Sequence, residues 1–163
     1  GYTASNKALF YNRKVILSTS DLNIESSISA VRELWQLAGA KVLELDRKSH
    51  DKILAATSHL PHLLAYALVE ALAEQEEADD IFLYAAGGFA DFSRLASSDP
   101  GMWSDIFVSN AAETDRALDF YIKKLIELKE IVKAENRHEL LGRFIAAKSV
   151  RDSFIQKHFK NSD

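Results

Sequence analysis

A chain of 163 residues, 47% hydrophobic and 27% charged, has the composition of one globular domain with a core, or of one domain plus part of another. A net charge of −4 and a pI near 5.7, with no dense basic stretch to track phosphates, argue against a nucleic-acid partner. The absence of cysteine excludes a disulfide framework, a thiolate nucleophile and a Cys-ligated metal site, and fits a reducing cytoplasm, while no apolar run is long enough to span a bilayer.

The chain starts on a polar stretch, residues 1–13, without clear periodicity. It has no basic n-region followed by an apolar h-region, so no signal peptide is expected. "KVILST" (Lys14–Thr19) is short, apolar and β-branched and reads as a buried strand. In "NIESSISAVRELWQLAGA", Ile24, Ile28, Val31 and Trp35 repeat at helical spacing. Asn23 is the expected N-cap and Gly39 stands where a helix C-cap glycine belongs. "KVLELD" (Lys41–Asp46) is the second strand. Strand, helix and strand with short connections form a βαβ unit with parallel strands. Two parallel strands leave both sheet edges open, and parallel sheets are normally covered on both faces. Residues 1–46 therefore read as the tail of a larger α/β domain, or as a small α+β unit completed by a second copy of the chain.

From Asp46 onward the pattern is helical. The segment around "LLAYALVEAL" is too apolar for a half-exposed helix and belongs in a core or an interface. Pro61 has no N–H, so a kink or break is expected over Thr57–Pro61. "DDIFLYAAGGFADFSRLA" reads as the next helical region, with Gly87 and Gly88 inside it. Asp99-Pro100 reads as an N-cap followed by the first helical residue. Leu118, Tyr121, Ile122, Leu125, Leu128 and Val132 form one stripe of a long amphipathic helix. Asn136 and Glu139 resemble a capping box that opens the last helix, and the two helices should form an antiparallel hairpin.

Three features carry chemical potential. His59 and His62 in "HLPH" lie three apart on one helical face. They could contribute to a metal site, with His50 and Asp51 the nearest further ligands, could be core or capping imidazoles, or could face a ligand at the proline kink. Gly87-Gly88 costs about 1 kcal/mol per residue inside a helix, which points either to close packing or a loop, or to backbone approaching a ligand. Asp91 and Arg94 can pair across one helical turn, and a partly buried Arg94 would be a two-pronged site for a carboxylate. No serine sits in a nucleophile elbow, and the glycines match no phosphate loop.

These residues carry a family resemblance. "ATSHLPHLLAYALVEAL" followed by "YAAGGFADFSRLASSDPGMWSDIF" resembles the C-terminal half of prephenate dehydrogenases, also called cyclohexadienyl dehydrogenases. The resemblance is sharpest over residues 51–110. It extends weakly through "GYTASNKALFYNRKVILS", similar to the segment after the family's His-Pro and Glu-Lys-Ser motifs, and the last two helices match only in pattern. It implies a mostly α fold, with a βαβ remnant of a Rossmann domain at 1–46 ahead of an all-helical, substrate-binding and dimerisation domain at 47–163.

The resemblance also implies a fragment of an NAD- or NADP-dependent cytoplasmic enzyme of tyrosine biosynthesis. The Gly-rich nucleotide loop is absent from this chain, and the family's catalytic histidine lies upstream of it. No cofactor or metal is expected in the fragment, and no turnover alone. The family reaction is oxidative decarboxylation: hydride leaves C4 of the cyclohexadienol for the nicotinamide, a histidine polarises or deprotonates the C4 hydroxyl, and carbon dioxide leaves C1. Prephenate gives 4-hydroxyphenylpyruvate; arogenate gives tyrosine. Carried over by motif, Arg94 resembles the family's substrate-carboxylate arginine and His62 a substrate-side polar group. Gly87 and Asp91 resemble members of the same pocket wall, Trp103 a pocket-lining residue, and His59 a structural or substrate-side imidazole. Many relatives have a basic residue where this chain has Ala90, which bears on any second cationic contact. The implied partners are a second copy of the chain and prephenate or arogenate, with tyrosine as a possible inhibitor, and neither nucleic acid nor membrane. The alternatives are a non-catalytic helical oligomerisation module and a tyrosine-sensing module.

Overall fold

The computed structural model describes residues 6, 8–20 and 22–160. Residues 1–5 of the opening stretch, part of the weaker resemblance, lie outside them. The chain divides into two compact units, one comprising residues 1–46 with 121–163 and the other residues 47–120.

The first unit begins with β1 (Lys14–Thr19), α1 (Glu25–Leu37) and β2 (Lys41–Asp46), each strand with the bounds expected from sequence. The strands are parallel, Lys14 opposite Lys41 through Thr19 opposite Asp46. Arg32 of α1 donates from Nε to Glu44 of β2 at 2.6 Å, and Phe10 meets the edge of Trp35 at 4.8 Å between ring centroids. Gly39 closes α1 with φ +84°. The Ala40 N–H reaches the Trp35 carbonyl and the Gly39 N–H the Gln36 carbonyl, the paired bonds of a Schellman motif. Asn23 is not the N-cap. That position falls to Ile24, which makes no side-chain cap bond, and Asn23 instead accepts from the Ser20 N–H at 2.7 Å. An asparagine between strand and helix can cap the helix or close the turn, and here the turn takes it.

The second unit is helical. α2 (Arg47–Leu54) runs into a π-helical turn at Ala55–His59, then α3 (Leu60–Ala73). The expected disturbance at Pro61 takes the form of one widened turn just before it, in which the Leu60 N–H bonds the Ala55 carbonyl five residues back. α4 (Ala78–Leu83) and α5 (Gly87–Ser93) follow, then a 3₁₀ turn at Arg94–Ser97. Gly87 and Gly88 are therefore the first residues of α5, not the interior of one helix, because the chain breaks at Tyr84–Ala86. α6 (Pro100–Ser109) is capped as expected: the Asp99 carboxylate accepts the Met102 N–H at 2.7 Å.

α7 (Ala111–Lys133) leads from the second unit into the first, and α8 (Arg137–Ile155) ends in a π turn at Gln156–Lys160. Asn136 accepts the Glu139 N–H at 3.1 Å and donates to the Glu139 carboxylate, completing the capping arrangement. Arg143 of α8 reaches Glu127 of α7 at 3.3 Å, so the two helices run back along each other. The apolar stripe of α7 is only partly covered. Ile131 is buried, whereas Ile122, Leu125 and Val132 are exposed, as are Leu141, Phe144, Ile145 and Val150 on α8. The fold is mostly α, with a Rossmann-type βαβ unit ahead of the helices.

Candidate functional site

The site residues named from sequence all lie in the second unit. α3 supplies His62 and Tyr66, one helical turn apart on one face. The His62 ring lies flat on Trp103 of α6, with centroids 3.7 Å apart and planes 21° apart. The Tyr66 hydroxyl donates to the Ser98 carbonyl at 2.7 Å, just ahead of the Asp99 cap that starts α6. The stack and the phenol together tie α3 to the start of α6.

His62 Nδ1 lies 3.0 Å from the Ser58 carbonyl. A carbonyl only accepts, so Nδ1 carries the proton and Nε2 of the neutral ring is left as an acceptor. His59 is placed differently. It is 8% exposed and meets Trp103 and Phe107 edge-on, with centroids 6.2 and 6.4 Å away. Burial is the main cause that pushes its imidazole below the ordinary value; His50 and His62 add to this and Asp51 opposes it. His59 is thus a neutral histidine of the core. Among the described residues no three His, Asp or Glu side chains converge as a metal site.

Arg94 opens the 3₁₀ turn and is exposed, as is Asp91 on α5. The pairing considered from sequence is not formed: among the described residues neither has an ion-pair partner. The change from α to 3₁₀ winding between them alters the spacing that an i, i+3 pair needs. Arg94 is left as an uncommitted planar cation on a turn packed against α3. A Cβ built on Gly87 or Gly88 meets nothing within 4 Å, so close helix packing does not explain either glycine. Trp103 is 7% exposed, a core wall more than an open one.

Sequence reading missed Asn110 and Thr114, which lie against His59 Nδ1 at 3.3 and 3.5 Å. Nothing in their spacing links them to a residue more than fifty positions earlier. Tyr66 was the more legible omission, four residues after His62 on the same helix.

A parallel, Rossmann-type βαβ unit is followed by helices that carry a histidine–tryptophan stack and, on a turn packed against α3, an arginine with no ion-pair partner among the described residues, which makes this a mostly α protein with a Rossmann-type start. Residues 46–146 match the family model for the dimerization domain of prephenate dehydrogenase, and the chain belongs to that family. It is 31% identical over 160 residues to a cyclohexadienyl dehydrogenase of Zymomonas mobilis, covering 97% of this chain and 55% of that protein. It is 30% identical over 153 residues to a prephenate dehydrogenase of Bacillus subtilis, covering 93% and 41%. The chain spans about half the length of these curated relatives. Among solved structures, prephenate dehydrogenase from A. aeolicus, in complex with hydroxyphenyl propionate and NAD+, superposes with a TM-score of 0.88 at 34% identity. That match covers 94% of this chain and 54% of that one. Arogenate dehydrogenase of Synechocystis, 23% identical, shares the fold with a TM-score of 0.81, over 90% of this chain and 54% of that one.

The β1–α1 connection does not carry a glycine-rich dinucleotide loop. It contains no glycine, Asn23 closes it onto Ser20, and the α1 N-cap is Ile24 without a side-chain bond. No helix among the described residues is long and apolar enough to cross a membrane.

Proposed function

We propose that this chain is the substrate-side and dimer-forming part of a prephenate or arogenate dehydrogenase, an NAD(P)-dependent oxidoreductase of tyrosine biosynthesis in the cytoplasm. Residues 1–46 belong to the nucleotide-binding domain and residues 47–163 form the helical domain. The nicotinamide dinucleotide and the catalytic histidine are supplied by parts of the enzyme outside this chain, so the chain alone has no turnover. The observation that carries the reading is the uncommitted, exposed Arg94 on the turn held to α3, the helix bearing His62.

The substrate is a dicarboxylate in the case of prephenate, and a guanidinium binds a carboxylate through two parallel N–H bonds. Arg94 takes a carboxylate. His62, its Nδ1 committed to Ser58, offers Nε2 to a substrate hydroxyl or, when protonated, to a second carboxylate. Gly87 leaves space where a side chain would intrude, Asp91 sits one turn before Arg94, and Trp103 fixes the His62 ring. His59 supports Trp103 from the core and does not touch substrate. Aromatisation and loss of carbon dioxide drive the step, and these residues orient the ring for it.

The test is Arg94→Ala in the complete enzyme with prephenate. A KM raised tenfold or more is expected, and a smaller rise removes the carboxylate role. The exposed apolar faces of α7 and α8 favour a homodimer through the helical domain. Tyrosine, similar to the product, is a candidate inhibitor of the same pocket.

A further inference from the structure

Asn110 sits between α6 and α7 with both backbone groups committed. Its N–H bonds the Ile106 carbonyl at 3.1 Å and its carbonyl accepts the Thr114 N–H at 3.0 Å. Its side chain makes two contacts. Nδ2 lies 2.8 Å from the Asp51 carbonyl and 3.3 Å from His59 Nδ1. The Asp51 carbonyl can only accept, so the atom facing it is the amide nitrogen. The second N–H of that nitrogen then points at Nδ1, which must present a lone pair. The His59 proton is therefore on Nε2. Thr114 Oγ1, at 3.5 Å from the same nitrogen, can donate to it and cannot reverse this assignment without facing one N–H with another.

We infer that Asn110 is a positioning residue: by bridging the Asp51 carbonyl and His59 Nδ1 it locks His59 as the Nε2–H tautomer, fixing the imidazole edge on which Trp103, and with it the His62 stack, rests. The groups around His59 leave it little other support. α2 presents His50 and Asp51, which interact with each other at 3.0 Å, and α3 presents His62. α6 presents Trp103 and Phe107, and α7 presents Thr114. A polar ring in such a setting keeps one orientation only if its nitrogen is matched. The consequence for substrate rests on the proposed role of the His62 face; the tautomer and the ring orientation do not.

The experiment uses the 15N-labelled protein and Asn110→Asp, which keeps the size and replaces the donor by an acceptor. In the native protein at about pH 8, histidine ring spectra should show His59 Nδ1 unprotonated and Nε2 protonated. A native His59 carrying its proton on Nδ1 overturns the inference without any variant. In Asn110→Asp at the same pH the proton should move to Nδ1, or the ring should become charged; an unchanged ring spectrum overturns it. Trp103 emission, read in a Trp35→Phe background, reports the stack, because the imidazole lying over the indole sets its surroundings. Asn110→Asp should shift the Trp103 emission maximum at constant pH, and an unaltered spectrum overturns the positioning role. If Asn110→Asp does not fold, Asn110→Ser carries the same two readings. None of these uses substrate, so a failure of the prephenate proposal shows separately, as an Arg94→Ala enzyme with an unchanged KM.

Discussion

His62 lies on Trp103 as one plate on another, 3.7 Å between centroids, and joins α3 to α6 where both helices begin. An aromatic pair of this kind contributes about 0.5–1.5 kcal/mol beyond its buried area. A double-mutant cycle on His62→Ala and Trp103→Phe, read by urea denaturation, should return a coupling of that size. Trp103→Ala alone should cost about 3–5 kcal/mol, since it empties a buried aromatic site. A coupling near zero would mean that the two rings merely lie side by side.

His59 predicts a pH dependence with a definite sign. Its folded value is depressed by burial, so the unfolded chain binds a proton more readily. The stability it contributes is fully present above about pH 6.5, the ordinary imidazole value, and is lost as pH falls from there toward the folded value. The slope cannot exceed about 1.4 kcal/mol per pH unit for one proton. The carboxylates of Glu44 and Glu127, lowered by hydrogen bonds from Arg32 and Lys124 respectively, act in the same direction but below about pH 4.5. Denaturant midpoints between pH 8 and 5 should therefore fall on acidification, and His59→Gln should flatten that interval. A slope that survives His59→Gln assigns the effect to another group.

The glycines separate into opposite expectations. Gly39 has φ +84°, and a Cβ there would stand 3.0 Å from Tyr11 Cδ2 and 3.3 Å from Tyr11 Cα. Gly39→Ala should cost at least about 1–2 kcal/mol from the left-handed backbone alone. Gly87→Ala meets open space in an ordinary helical conformation and should be neutral or stabilise by up to about 1 kcal/mol. If the space beside Gly87 serves substrate, the same change should raise KM in the complete enzyme. A Gly87→Ala protein that is stable and kinetically unchanged would show that the space is idle.

Local signals were the legible ones. β1 stood out because a β-branched apolar run between polar residues specifies its own ends, and β2 because it follows the helix after a short connection. Gly39, Asp99-Pro100 and the Asn136–Glu139 pair were readable because caps act within three residues. Asn23 failed by one position, since the same side chain serves a turn or a cap and only the strand exit angle decides. On α7 the stripe expected from sequence included Val132 and left out Ile131, whereas Ile131 is buried and Val132 exposed. The site shows the same limit. "HLPH" marked His59 and His62 as alike, whereas their surroundings make one a buried, neutral core ring and the other a stacked plate. Asn110 lies against the first of these rings from fifty-one residues away, and no spacing rule reaches that far.

The last expectation concerns association. Phe144, Ile145 and Val150 on α8 and Ile126 and Val132 on α7 are each more than half exposed, apolar side chains that an interface would cover. Light scattering across a concentration series should give a mass twice 18.2 kDa. Replacing Phe144 and Ile145 together by Glu should shift that equilibrium to monomer, because each buried carboxylate would need a partner that an apolar face does not provide. The helical content should stay near native, since neither side chain belongs to the core of its own chain. A wild-type protein that remains monomeric at all concentrations would mean that these faces are covered by other parts of the enzyme, and the homodimer reading would fall.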